Sequence, residues 1–361
     1  MSEVVQVNLG ARSYSIVVER GALTRVGPRL RTLGVGSRAA VVTSASILRL
    51  YGKAVLESLE EAGFTVTVVD VPEGESAKTL AIAEHCWNAL LTAGLDRTST
   101  ILALGGGAVG DLAGFVAGTY MRGANFVQLP TTVLAQVDAS IGGKTAIDHH
   151  RAKNLIGAFH QPRVVLVDVS VLTTLPALEF RSGLAEVIKH GIVLDASYFE
   201  DLEHSLPALL RRDLPTLERV VAGSCRIKAG VVERDEQEAE LRHVLNYGHT
   251  IGHALEAVTG YTRWAHGEAV SLGIVAEAKV AERLGIARTH TTDRQVRLLQ
   301  AAGLPVSGLG ASPPVIIEAL GRDKKARDGR VPFVFAPEIG AFRLVFDVPP
   351  ATVRDTLETL A

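Results

Sequence analysis

The sequence predicts an α/β amino-terminal domain with a mostly parallel sheet, followed by an all-helical carboxy-terminal domain, with the active site in the cleft between them. Three observations predict it. Short β-branched runs alternate with helical patterns through the first half of the chain. Near Leu175 the β-branched runs stop and helix-period segments follow one another. A glycine-rich turn at Gly105–Gly110 joins a strand candidate to a helix candidate. The 361 residues accommodate two domains, at about 100–200 residues each.

Taken in order, Val4–Leu9 and Tyr14–Val18 flank Gly10-Ala11-Arg12 and read as a hairpin. Strands are expected at Ala39–Thr43, Thr65–Val71, Thr98–Leu104, Phe126–Leu129 and Val164–Val169, with helices such as Ile47–Ala62 and Ala77–Ala93 between them. Such alternation places helices on both faces of a parallel sheet, whose ligands gather beyond the carboxyl ends of the strands. Helices are then expected at Gly183–Leu194, Pro215–Arg234, Ala239–Val258, Gly267–Leu284 and Asp293–Ala302, and a late hairpin at Val331–Phe335 and Phe342–Phe346. The division falls at 1–174 and 175–361.

Composition excludes several classes. A hydrophobic share of 47% with 21% charged residues suits a protein with sizeable cores. A net charge of -2 gives no support to nucleic-acid binding, while leaving room for local basic clusters. No run approaches the roughly 20 apolar residues of a membrane span, and Met1–Val5 opens no signal peptide. Cys86 and Cys225, far apart in sequence, read as free thiols. These features together predict a cytoplasmic protein.

Gly105, Gly107 and Gly110 satisfy the G-x-G-x-x-G spacing, in which the backbone turns sharply and brings unpaired helix-start N–H groups to a pyrophosphate. A tight turn without ligand has the same spacing. The acidic residue expected about 20 positions later is missing from Gly123–Leu129, so the domain is Rossmann-like without an ordinary Rossmann site. Gly143-Lys144-Thr145 resembles the end of a P-loop, but Asp138 stands where its first glycine belongs.

The segment Leu241–Glu256 carries Arg242, Asn246, His249, His253 and Glu256 at steps of 4, 3, 4 and 3. On one helix these would share a face, and two histidines at i and i+4 can share a metal. His266 opens the next helical pattern. Glu186, a carboxylate inside an otherwise apolar helix, needs a cation: Lys189 one turn later, or a metal. One glutamate with two histidines would leave open positions on zinc, as catalytic sites do.

Together these segments resemble the 3-dehydroquinate synthase family from about Glu73 to Lys325. The resemblance is carried by Gly105–Asp111, Leu129–Thr132, Asp138–Lys144, Lys153–Phe159, Ala185–Lys189, Leu245–His253 and His266–Val270. It implies conversion of 3-deoxy-D-arabino-heptulosonate 7-phosphate to 3-dehydroquinate and phosphate, by hydroxyl oxidation with NAD, phosphate elimination, ketone reduction, ring opening and aldol closure. By the same resemblance Glu186, His249 and His266 hold a divalent metal, zinc or cobalt. His253 handles protons or holds the phosphate. Asp138, Lys144, Lys153, Asn154, Lys189, Lys228, Arg242 and Asn246 line the substrate, with Lys324 and Lys325 adding a phosphate contact. Surface ion pairing is the plain alternative for Lys228, which has Glu233 and Asp235 as neighbours.

For NAD the resemblance implies Glu75, Lys78, Gly105, Gly106, Gly107, Gly110, Asp111, Thr131, Thr132, Lys144, Lys153, Leu172, Thr173, Thr174 and Leu175. It also implies a homodimer in which Arg122 reaches the phosphate in the neighbouring subunit. Ser44 and Ser46 depart from the Asp and Asn common near the adenosine ribose. Ala152 departs from the glycine that commonly precedes Lys-Asn. Three alternatives compete: a related sugar-phosphate cyclase of secondary metabolism, a metal-dependent polyol dehydrogenase, and a histidine-rich metal-binding module.

Overall fold

The computed structural model describes residues 2–150, 152–321 and 332–361. The expected Lys324 and Lys325 contacts lie outside the described residues. The chain divides into two compact units, Met1–Leu175 with Leu217–Gln237, and Pro176–Thr216 with Glu238–Ala361. The single cut expected at 174/175 therefore needs correcting. Leu217–Gln237 returns to the first unit because its partners lie there.

The first unit carries strands β1 (Glu3–Val7), β2 (Tyr14–Val18), β3 (Arg38–Thr43), β4 (Thr65–Asp70), β5 (Thr100–Gly105), β6 (Asn125–Pro130), β7 (Lys144–His149), β8 (Ala152–Phe159) and β9 (Val164–Val167). Its helices include α1 (Val26–Thr32), α2 (Ala45–Ile47), α3 (Lys53–Glu61), α4 (Leu80–Thr92) and α5 (Gly107–Thr119). Seven strands form one sheet in the order β1-β2-β9-β6-β5-β3-β4. Only the β1–β2 pair is antiparallel. The central strands are buried along their length, β5 at every residue, which is why they read as unbroken apolar runs rather than alternating ones. Thr79 starts α4 by accepting the Ile82 N–H on its hydroxyl.

The order reverses between β5 and β3, because β4 lies beyond β3 while β6 and β9 lie beyond β5. Ligands of open α/β sheets bind at the carboxyl ends beside such a reversal. Here those ends are Gly105 and Thr43.

Two segments depart from expectation. Lys144–His149 and Ala152–Phe159, where no strand was expected, pair as an antiparallel hairpin in a separate two-stranded sheet. The helix expected over Ile47–Ala62 contains a π turn at Leu48–Gly52.

The second unit contains α6 (Ala177–Leu194) and α7 (Ala196–Leu210), and the first residues of α8 (Leu214–Arg234). Beyond these come α9 (His249–Val258), α10 (His266–Arg283), α11 (Thr289–Ala301), α12 (Pro313–Leu320), a small antiparallel pair β10 (Phe333–Phe335) and β11 (Arg343–Val345), and α13 (Pro350–Glu358). The single helix expected over Ala239–Val258 is not formed. Leu241–Asn246 is a 3-10 helix, Gly248 adopts φ 77, and α9 begins at His249. Arg242 and Asn246 therefore do not share a helical face with His249, His253 and Glu256.

The Cys225 thiol donates to the Gln136 carbonyl at 3.3 Å, and the Asn8 N–H and side-chain amide both reach Glu233 at 2.7 Å. These bonds fasten α8 to the first unit. Cys86 and Cys225 are both free and buried, and burial pushes each thiol up to about 12. Among the described residues no helix is long and apolar enough to cross a membrane.

Candidate active site

In the second unit, α6 is apolar enough to be buried continuously from Ser182 to Val193. It therefore carries Glu186 into the core, fully buried. A bare carboxylate there would be costly. Lys189, three residues on and also buried, places its ammonium against Glu186 Oε2 and donates to the Leu245 carbonyl. Burial pushes the Glu186 carboxyl up, but Lys189 and His266 outweigh it and hold the group well below the usual carboxylate range.

The other oxygen, Oε1, faces two imidazoles. His249 Nε2 lies 3.4 Å away and His266 Nε2 3.7 Å away. Each ring is held from behind. His249 Nδ1 sits 3.1 Å from the Tyr247 carbonyl, an atom that can only accept, so Nδ1 carries a hydrogen and Nε2 is the atom turned toward Glu186. His266 Nδ1 is 3.3 Å from Glu256 Oε1. Burial lowers the His266 pKa, but Glu186 and Glu256 override it and raise it to about 10.

Apart from the Lys189 ammonium against Oε2, the Glu186 carboxylate accepts no hydrogen bond from the described residues. The ligand atoms of Glu186, His249 and His266 all lie within 4.8 Å of one another. One carboxylate and two imidazoles, each held through its second nitrogen, are what a catalytic zinc or cobalt takes, the metal taking the place of the proton on His266. The residues fit such a metal.

What aligns the rings is partly invisible in the sequence. Glu256 belonged to the polar stripe without a role, and the structure sets it behind His266. Glu277, fully buried on α10, accepts N–H groups from Gly248 at 2.8 Å and Ile251 at 3.4 Å. A Cβ on Gly273 would meet the Gly248 carbonyl at 1.8 Å, so α9 and α10 touch backbone to backbone there. His253 lies near both of these histidines, its ring centroid 5.1 Å from His249 and 6.1 Å from His266. Arg242 is buried and Asn246 half-buried.

In the first unit, the turn after β5 opens α5 with no side-chain cap, which leaves the first-turn N–H groups of Gly106–Ala108 partly open. A Cβ on Gly110 would lie 2.9 Å from the Gln128 side chain, so this glycine lets the helix approach β6. The Thr131 N–H donates to the Gly105 carbonyl at 2.9 Å, while its buried hydroxyl has no partner among the described residues. Thr132 accepts the Ala135 N–H at 3.1 Å. An uncapped helix start and an orphaned hydroxyl at the strand reversal fit a dinucleotide pyrophosphate.

Lys78 is the hub beside this turn. Its buried ammonium donates to Asp111 at 2.8 Å and to the Asn154 side chain, with Glu75 at 3.9 Å and Asp148 at 4.0 Å. Burial pushes the Asp111 carboxyl up to about 6, with Lys78 opposing. Asn154 has φ 53, its N–H held by Asp148 at 2.7 Å. Asp148 had no expected role. Lys153 lies 3.8 Å from Glu75, and Lys144 starts β7, exposed.

Lys228 donates to the backbone and side chain of Asp138, each at 2.5 Å. Lys228, for which surface pairing with Glu233 or Asp235 was the plain alternative, is thus tied to Asp138, another of the residues expected to line the substrate. The run Leu172–Leu175 follows β9 in a 3-10 turn, where the Tyr51 hydroxyl meets Thr174 and the Val171 carbonyl. Ser44 and Ser46, at the end of β3, bond each other at 3.3 Å. Arg122 is exposed, with φ 64, between Met121 at φ 49 and Gly123 at φ 120.

Comparison with known proteins agrees along the chain. Residues 68–182 match the family model for the 3-dehydroquinate synthase N-terminal part, and residues 183–326 the model for its C-terminal part. The 3-dehydroquinate synthase of Pelotomaculum thermopropionicum is 51% identical over 339 residues, 94% of this chain and 91% of that protein. That of Geobacter metallireducens is 50% identical over 343 residues, 95% of each. Among solved structures, 2-epi-5-epi-valiolone synthase from Streptomyces hygroscopicus subsp. jinggangensis 5008, with NAD+ and Zn2+ bound, superposes with TM-score 0.88 at 27% identity, covering 96% of both chains. A 2-deoxy-scyllo-inosose synthase complexed with carbaglucose-6-phosphate, NAD+ and Co2+ shares the fold, with TM-score 0.90 at 23% identity, covering 99% of this chain and 100% of that one.

Proposed function

The chain belongs to the 3-dehydroquinate synthase family, and from that premise we propose how its own residues divide the work. It converts 3-deoxy-D-arabino-heptulosonate 7-phosphate to 3-dehydroquinate and phosphate, using NAD and one divalent metal. When bound, NAD supplies a reversible hydride acceptor and the metal a Lewis acid for substrate oxygens. The observation that carries the reading is the buried Glu186 carboxylate facing the Nε2 atoms of His249 and His266.

Glu186, His249 and His266 hold the metal. Lys189 balances the Glu186 charge, and the Tyr247 carbonyl and Glu256 keep both imidazoles in the ligating tautomer. His253 moves protons at its ring or holds the leaving phosphate. Arg242, Asn246, Lys144, Lys153, Asn154 and Lys228 anchor an anionic substrate, with Asp138 orienting Lys228. Fixing one substrate through several steps is what allows few groups to serve successive proton transfers. Lys324 and Lys325 are assigned a phosphate contact on the resemblance alone.

The first-turn N–H groups of Gly106 and Gly107 receive the pyrophosphate, while Gly105 and Gly110 allow the close packing that shapes the turn. Thr131, Thr132, Lys78, Asp111 and Glu75 surround them, with Lys144, Lys153, Leu172, Thr173, Thr174 and Leu175 as further NAD contacts. We also assign a cytoplasmic homodimer in which Arg122 serves the neighbouring subunit. Exposed Met121 and Leu91 beside this strained loop support an interface there.

The deciding experiment supplies substoichiometric NAD. Many turnovers should follow, with phosphate and a cyclic product formed and no build-up of reduced nicotinamide. Reduced nicotinamide appearing in step with phosphate would replace this reading with a dehydrogenase.

A further inference from the structure

His266 has a carboxylate at each ring nitrogen. Glu186 Oε1 stands 3.7 Å from Nε2 and Glu256 Oε1 3.3 Å from Nδ1. On the Glu256 side, one turn of α9 also presents His253. His253, Glu256 and His266 each offer a ligand atom, all within 4.8 Å of one another, the same spread as Glu186, His249 and His266. Two sets of identical composition, two imidazoles and one carboxylate each, thus meet at one shared ring.

The environments differ. Glu186 is 0% exposed, whereas the Glu256 side chain is 12% and that of His266 32% exposed. The second set is open to an ion arriving from solvent.

We propose that the chain binds a second divalent cation of the zinc and cobalt class at His253, Glu256 and His266 Nδ1. It binds there more weakly than at the first centre, and it inhibits. The proposal rests on Glu186, His249 and His266 being that first centre. Weaker binding follows from the shared ligand. With Nε2 on the first metal, coordination through Nδ1 requires the ring to give up its proton to solvent. The two cations then repel across a single imidazole. Inhibition follows because the second ion occupies His253, the group assigned to proton or phosphate handling, and draws Glu256 from its post behind His266.

The test is equilibrium dialysis of the full chain against rising Zn2+, with bound metal counted per chain, alongside a Co2+ titration followed by visible absorption. Expected are one tight equivalent and then a second. The second Co2+ should change the spectrum of the first, since they share His266. His253→Gln should keep the first equivalent and lose the second, and excess Zn2+ should slow turnover of the wild type. If His253→Gln fails to fold, Glu256→Gln carries the same comparison. Saturation at one equivalent overturns the proposal. A second equivalent that survives both substitutions lies elsewhere and also overturns it. The first centre is checked separately with Glu186→Gln, which should lose the tight equivalent. If that variant keeps it, the first centre is misassigned and the shared-ligand proposal falls with it.

Discussion

The buried carboxylate of Glu277 accepts the backbone N–H of Gly248 at 2.8 Å, one residue before His249 starts its helix. Glu277 lies on α10, the helix that begins with His266. One carboxylate thus ties the start of the helix bearing one imidazole to the body of the helix bearing the other.

Glu277→Gln is therefore expected to weaken zinc binding by about 10–100-fold, the usual effect of losing an outer partner of a metal ligand. Competition against a chelator measures it. Val280→Ala, a cavity in the same buried helix, should lower the melting temperature while leaving zinc affinity unchanged. Equal loss of affinity in both variants would reduce Glu277 to a packing residue.

Removing the ligands should be more severe. His249→Ala and His266→Ala are each expected to abolish turnover and lower bound metal. Glu186→Gln should do the same and also destabilise the fold, because Lys189 keeps a buried charge whose partner has gone, a loss of about 3–5 kcal/mol. Metal content by elemental analysis and denaturant midpoints check both. Full zinc occupancy in His249→Ala would sink the assignment.

Asp111 gives a pH signature. Burial raises its carboxyl from 3.8 to about 6, against the pull of Lys78. The folded chain therefore holds this proton more tightly than the unfolded chain does. The contribution favours folding below the ordinary carboxylate pKa and is lost as pH rises through about 6. Lys78→Met should move the titration higher still. Carboxyl NMR of labelled aspartate reads both, and an unmoved resonance in Lys78→Met would disconnect the pair.

Gly273→Ala would set a methyl carbon 1.8 Å from the Gly248 carbonyl. The expected cost is about 1–3 kcal/mol, with weakened metal binding, since the helices carrying His249 and His266 must separate. Retained stability and zinc affinity would show that the contact relaxes freely.

For the proposed dimer, mixing inactive Arg122→Ala subunits with inactive His249→Ala subunits should restore partial activity, since one hybrid site keeps both groups. Verified hybrids without activity would exclude a shared site.

The sequence shows the proposed metal ligands Glu186 and His249 because each breaks a local pattern. Glu186 interrupts an apolar helix, and His249 with His253 stands where a surface helix would carry lysine and glutamate. The break at Gly248 is not legible, since a glycine inside a periodic run can be tolerated within a helix as well as end one. The contact with Glu277, 29 residues away, and the close packing against α10 account for the turn there. The β7–β8 hairpin was hidden for a different reason. From Asn154 to Phe159 β8 is exposed on both faces, so it lacks the alternation that marks a half-buried strand. The sheet order was legible in kind but not in sequence, because pairing β5 between β3 and β6 depends on contacts that no local run encodes.

The excursion of the chain between Leu175 and Leu217 bears on how the protein is made. Translation delivers the first 175 residues together, with every strand of the large sheet already present. Yet Gln136, Asp138 and Glu3 must wait for Cys225, Lys228 and Arg226, which leave the ribosome later. A nascent chain halted at Leu175 is not a smaller domain but an unfinished one, holding open the seat of a helix still to be synthesised.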